Sequence, residues 1–137
     1  MTLDCRYCDD LLVSLRSEVL EHLSEIEEHL KRRYAGLKEM AIFVYGESPL
    51  GGLGRACFCF DLDTGIQSAW TNHYYGTKAS KLPDSDLKAL LKHWKPFMRA
   101  IEETYQKQVQ DQATTLSQLR AIKDHLSEKD TPEAGRY

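Results

Sequence analysis

The sequence predicts an α+β fold: a long N-terminal helix, a three-stranded antiparallel β-meander, and two or three C-terminal helices packed on one face of the sheet. Three observations predict it. Apolar residues recur at heptad spacing over residues 12–37, the period falls to two over residues 40–71, and helical spacing returns over residues 87–126. A meander with one apolar face needs a cover, and helices on either side of it in the chain supply one.

The first helix is expected over about residues 9–37. Leu12, Val19 and Ile26 recur every seven positions, and Leu15 or Arg16 followed by Leu23, Leu30 and Leu37 fills the alternate line, with no Gly or Pro before Gly36. The opposite face carries Glu18, Glu21, Glu25, Glu28 and Arg32. Asp9 and Asp10 near the start, and Lys31, Arg32, Arg33 and Lys38 near the end, suit the helix dipole. Gly36 is a stop signal.

Residues 40–45 are rich in strand formers. Residues 46–54 hold four glycines and Pro49 and read as a loop. Residues 55–62 then alternate, with Ala56, Phe58, Phe60 and Leu62 on one side and Arg55, Cys57, Cys59 and Asp61 on the other. Asp63-Thr64-Gly65 is a turn. A third strand over residues 66–71 puts Ile66, Ser68 and Trp70 on one face. Residues 72–83 read as a loop, after which Asp84 or Ser85 is expected to cap a helix with Leu87, Leu90, Leu91 and Trp94 on its apolar face. Pro96 either kinks that helix or sits in the first turn of the next. Phe97, Ile101 and Tyr105, then Leu116, Leu119, Ile122 and Leu126, carry a helical stripe to about Glu128. Gln106, Gln108, Gln110 and Gln112 make its middle polar, so this part is expected to leave the core or bend.

At 137 residues, 42 % hydrophobic and 28 % charged, the chain suits one core and is neither disordered nor fibrous. Residues 1–129 are expected to form a single α+β domain and 130–137 a flexible tail. There is no apolar run of about 18 residues for a membrane span and no basic, apolar start of a signal peptide, so the expected location is cytoplasmic. The first helix spans roughly 43 Å at 1.5 Å per residue, whereas strands of six to eight residues span only about 20–27 Å. It must overhang the sheet. An overhanging apolar stripe wants a partner, so a homodimer through the helix of residues 12–37 is expected.

No constellation for catalysis stands out. His22 and His29, with Glu25 on the same side, have metal-ligand spacing, but Glu21, Ser24, Glu27 and Glu28 around them read as a solvated face. His73 is the best single candidate for a reactive side chain, yet no Ser, Cys or acid accompanies it at a recognisable offset. The glycine loop leads into a strand and carries Glu47 rather than lysine, so it is no phosphate cradle. Asp61 and Asp63 are explained by strand and turn, with turn aspartates bonding to their own backbone. Cys5, Cys8, Cys57 and Cys59 form a C-x-x-C and a C-x-C pair. No cofactor, stoichiometric metal or disulfide is expected. The alternative is one four-thiolate zinc site made of all four.

Charge is more informative. Residues 1–30 hold eight acids and two bases, while residues 70–100 hold six bases and two acids. In the second segment Lys78, Lys81, Lys88, Lys92 and Arg99 are interleaved with Trp70 and Tyr74, a pattern suited to phosphate attraction and base stacking. The order helix, three-strand meander, basic loop, helix over about residues 15–95 is similar to that of the double-stranded RNA-binding domain. Gly76-Thr77-Lys78-Ala79-Ser80-Lys81 resembles its basic segment, which implies phosphate contact there. The first helix is about twice the family's length, and Pro83-Asp84-Ser85-Asp86 puts acids where the family has bases.

The leading reading is a non-catalytic protein–protein interaction module, a dimeric regulator, adaptor or inhibitor of the kind phages and mobile elements encode. It would bind its partner through Glu21, Glu25 and Glu28 and the loop residues Ser48, Leu50 and Leu53. The alternative is a nucleic-acid-binding accessory protein using Lys78, Lys81, Lys88, Lys92, Arg99, Trp70 and Tyr74. A small enzyme using His73 comes third.

Overall fold

The computed structural model describes residues 5–46, 54–71 and 76–130. The elements in chain order are α1 (Cys5–Arg33), β1 (Ala41–Val44), β2 (Ala56–Asp61), β3 (Gly65–Trp70), β4 (Thr77–Lys78), a short 3-10 helix (Ala79–Lys81), α2 (Asp84–Lys92) and α3 (Trp94–Asp130). The class is α+β, with an antiparallel sheet in the order β1-β2-β3-β4. The meander has four strands rather than three. Thr77 and Lys78, within the expected loop, pair with Ser68 and Gln67 of β3. Two residues are too few to show a period, so the sequence carries no signal for this strand.

Helix α1 begins earlier and ends earlier than its periodicity suggests. Asp9 and Asp10 therefore lie beyond the first turn, while Lys31, Arg32 and Arg33 occupy the last. Its end is closed by the Tyr34 N–H donating to the Leu30 carbonyl and the Leu37 N–H donating to the Tyr34 carbonyl, both at 2.9 Å. Leu23, Leu30, Tyr34 and Leu37 are buried, so this half of the heptad stripe faces the protein's own core.

The core lies between one sheet face and the helices. Register sets Ala41 opposite Phe60, Phe43 opposite Phe58, and Phe60 opposite Ile66. Onto that face pack Leu23, Leu30, Leu82, Leu90, Phe97 and Ile101. Phe58 stacks on Tyr45 at 4.7 Å between ring centres and meets Phe97 at 6.0 Å.

The start of α2 departs from expectation. Neither Asp84 nor Ser85 is its N-cap; Pro83 is, and Asp84 and Asp86 sit in the first turn, where carboxylates face the positive end of the dipole. Arg16 of α1 ties down this junction, donating to the Leu82 carbonyl at 2.7 Å and to Asp84 at 3.2 Å. Pro96 falls in the first turn of α3, where no intrahelical partner for its nitrogen is lost.

At the β2–β3 turn the bonding carboxylate is Asp61, not Asp63. Its Oδ1 accepts from the Thr64 N–H at 2.6 Å and the Thr64 hydroxyl at 2.8 Å. Gly65 closes the turn at φ +75°, and a Cβ there would meet Glu27 Oε2 of α1 at 1.8 Å. The same Glu27 oxygen accepts from the Ile66 N–H at 3.3 Å. Gly65→Ala is expected to destabilise the chain by about 1–2 kcal/mol from the left-handed backbone alone, and further by displacing Glu27. Urea denaturation checks it, and an unchanged midpoint would refute this account of the turn.

Helix α3 is continuous for 37 residues, about 55 Å at 1.5 Å per residue. Only its first third packs. Phe97 and Ile101 are fully buried, and Tyr105 meets Tyr34 edge-on at 5.3 Å. The Tyr34 hydroxyl donates to Glu102. Gln108 ties the helix to the body: its Nε2 donates to the Gly36 carbonyl at 2.6 Å, and its Oε1 accepts from the Lys38 N–H at 2.7 Å. Beyond it the helix leaves the core without breaking. The glutamine-rich stretch thus marks the departure point, and one of its glutamines forms the clasp.

Candidate functional site

Three surfaces bear on function. The first is helical. Val109, Leu116, Leu119, Ile122 and Leu126 of α3 are all exposed. Val109 and Leu116 lie seven apart, as do Leu119 and Leu126, so they share one stripe along the protruding helix. On α1 the expected stripe of residues 12–37 is divided. Leu23, Leu30 and Leu37 are interior, while Leu12, Leu15, Val19 and Ile26 remain exposed. The whole stripe is therefore not offered to a partner; part of it is committed to the core. Leu12, Leu15 and Val19 border a shallow groove against Asp84 and Leu87 of α2.

The second surface is charged. Glu21, Glu25 and Glu28 are exposed on the side of α1 opposite Leu23 and Leu30. Glu25 approaches His22 at 3.8 Å, and His29 Nδ1 lies 3.3 Å from Arg32. Among the described residues no three His, Cys, Asp or Glu side chains gather around a common point. The His22, Glu25 and His29 spacing therefore builds no ligand cluster. The loop positions Ser48, Leu50 and Leu53 lie outside the described residues, as do His73 and Tyr74. Lys78, Lys81, Lys88, Lys92 and Arg99 are all exposed, but they are spread over β4, the 3-10 helix, α2 and α3. Asp84 and Asp86 separate the first two from the rest along the chain. Trp70, at the end of β3, is half exposed.

The third surface is the sheet face turned away from the core. Register lines up Ile42, Cys59, Gln67 and Lys78 in one cross-strand row, and Val44, Cys57 and Ala69 in the next. Here lies a cavity of about 250 Å³, lined by Met40, Ile42, Cys57, Cys59, Ala69 and Trp70 among others, with no described residue of α1, α2 or α3 in its wall. Cys57 and Cys59 are only 3 % and 4 % exposed, and their sulfurs are 3.8 Å apart. Cys57 also donates to the Ala69 carbonyl at 3.5 Å. The four-thiolate arrangement is not assembled from described residues: Cys8 lies in the first turns of α1, and no described helix residue lines this cavity. Strand alternation had put both sulfurs on one face. That the face holds a cavity depends on the bulk of Met40, Ile42 and Trp70 around two small side chains, which periodicity does not report. His93, which no spacing singled out, packs against Tyr45 at 5.0 Å and Phe43 at 5.8 Å.

Burial, and secondarily the neighbouring Cys57, pushes the Cys59 thiol up to about 12 from 9.0. Burial, then the bond to Glu102, pushes the Tyr34 phenol up to about 12 from 10.0. Both groups are neutral acids that the fold holds protonated. Their stabilisation is complete below the unfolded values and is lost as pH rises through the folded ones. Stability is expected to decline from about pH 9 toward 12. Urea midpoints across this range check it, and Cys59→Ala combined with Tyr34→Phe should flatten the decline.

Among the described residues no helix is long and apolar enough to cross a membrane. Comparison with protein families, curated proteins and solved structures returns no match, so the surfaces above are the basis for a functional reading.

Proposed function

We propose that the chain is a non-catalytic protein–protein interaction module that self-associates by pairing its protruding α3 helices. One observation carries this reading: after Gln108, α3 keeps an exposed apolar stripe that no other described residue covers. Isolated helices are marginal in water, and most helical stability comes from packing an amphipathic face. The occupant best matched to the stripe is a second copy. Across residues 107–128, Lys107, Arg120 and Lys123 balance Asp111, Asp124 and Glu128, so two copies meet without net repulsion.

Light scattering over a range of concentrations tests the reading. The expected mass is twice the 15.7 kDa of the chain. A mass that stays at 15.7 kDa at every concentration refutes it. The acidic face of Glu21, Glu25 and Glu28 then remains open to a basic partner, since complementary charge speeds encounter. Nucleic-acid binding is the competing outcome. Gel-shift binding tighter than about 1 μM at low salt, abolished by Lys88→Glu with Lys92→Glu, would replace the interaction reading, because non-specific binding lies at roughly 10⁻⁴ to 10⁻⁶ M.

A further inference from the structure

We infer that the cavity on the sheet face turned away from the core is a binding site for one soft, thiophilic metal ion of the copper(I) class, held by the Cys57 and Cys59 sulfurs with the Met40 thioether as third donor. The sequence alone makes two cysteines on one strand face ordinary small hydrophobes, which argues against a metal. The structure adds two facts. The thiols sit outside the core cluster of helices and sheet. Both line a cavity of about 250 Å³, so neither is needed to fill a gap under a helix.

The sulfurs are already at chelating distance. Two metal–sulfur bonds of about 2.3 Å at the roughly 120° angle of a three-donor site place their sulfurs about 4.0 Å apart. The observed separation is 3.8 Å. A disulfide is the poorer use of this pair. Positions two apart on an extended strand hold their α-carbons about 6.6–6.8 Å apart, at the far end of disulfide geometry.

The donor set selects the class of ion. Magnesium and calcium need several oxygen ligands, and no carboxylate lines the cavity among the described residues. A closed zinc site needs four nitrogen or sulfur ligands, and no cluster of three His, Cys, Asp or Glu exists among the described residues. Two thiolates and a thioether are soft donors that suit a low-coordinate copper(I). Ile42, Ala69 and Trp70 supply an apolar wall that limits water access. Binding forms two metal–thiolate bonds, releases the two thiol protons to solvent and leaves the metal's oxidation state unchanged.

The test is an anaerobic titration of the full chain with cuprous ion against bicinchoninate. It is run in a Cys5→Ser, Cys8→Ser background, so that Cys57 and Cys59 are the only thiols among the four cysteines. The expected result is withdrawal of one copper per chain from the coloured complex. Cys57→Ala and Cys59→Ala should each abolish it while circular dichroism of the metal-free variants stays native. Met40→Leu should weaken binding by about tenfold or more, the usual scale for loss of a supporting interaction at a metal. Failure of the background protein to compete for copper, or one copper per chain retained by the Cys57→Ala, Cys59→Ala double variant, overturns the site. An unchanged affinity in Met40→Leu overturns the three-donor form.

Discussion

Phe97→Ala is expected to lower the free energy of unfolding by about 3–5 kcal/mol, the usual range for removing a buried aromatic side chain. Phe97 is fully buried where α3 sits on the sheet, with Phe58 and Trp94 each 6.0 Å away between ring centres. No polar atom is lost, so the effect is burial plus the cavity left behind. Domains of ordinary size have only about 5–15 kcal/mol in total, so this variant sits close to unfolding at room temperature. Urea denaturation measures it, with Phe97→Leu as the milder comparison at below about 1.5 kcal/mol. A loss under about 1 kcal/mol for the alanine variant would mean that α3 is anchored elsewhere.

Leu116→Glu with Leu119→Glu is expected to bring the mass of the particle from twice 15.7 kDa down to 15.7 kDa with the sheet core intact. Both side chains are exposed beyond Gln108, so the substitutions leave the described core contacts in place. In the dimer they would bury unpaired carboxylates, a cost of several kcal/mol that the stripe cannot offset. A chain ending after Gln108 should also fold and stay monomeric, because the clasp onto Gly36 and Lys38 is retained. Size by light scattering and the urea midpoint separate the two readouts. A dimer that survives both changes would place the interface elsewhere, with the exposed half of the α1 stripe, Leu12, Leu15 and Val19, as the surface to examine next.

Much of the architecture is legible in the local pattern. Heptad spacing marks α1, strict alternation marks β2, and the returning helical period marks α2 and the start of α3. The misses have separate causes. The Thr77–Lys78 strand is too short to have a period. Pro83 caps α2 where Asp84 or Ser85 was expected, because the Arg16 side chain and the backbone fix that junction from a distance of 66 residues or more. Asp61 rather than Asp63 closes its turn, since the strand geometry aims Asp61 at both Thr64 donors.

The candidate surfaces divide in the same way. The acidic face of Glu21, Glu25 and Glu28 is readable because opposite faces of one helix are fixed by 3.6 residues per turn. The fate of the α1 stripe is not. Leu23 and Leu12 look alike in the heptad pattern, yet one is buried and the other exposed. By itself the sequence determined the types and order of the longer elements and which face of each is apolar, because these follow from side-chain period over a few turns. Only the tertiary structure decided what covers each apolar face. It buries Leu30 under the sheet, strands Leu119 on a helix that has passed Gln108, and opens a cavity over Cys57 and Cys59. The physical reason is that amphipathicity is a local property of the chain, whereas burial depends on where segments tens of residues apart come to rest.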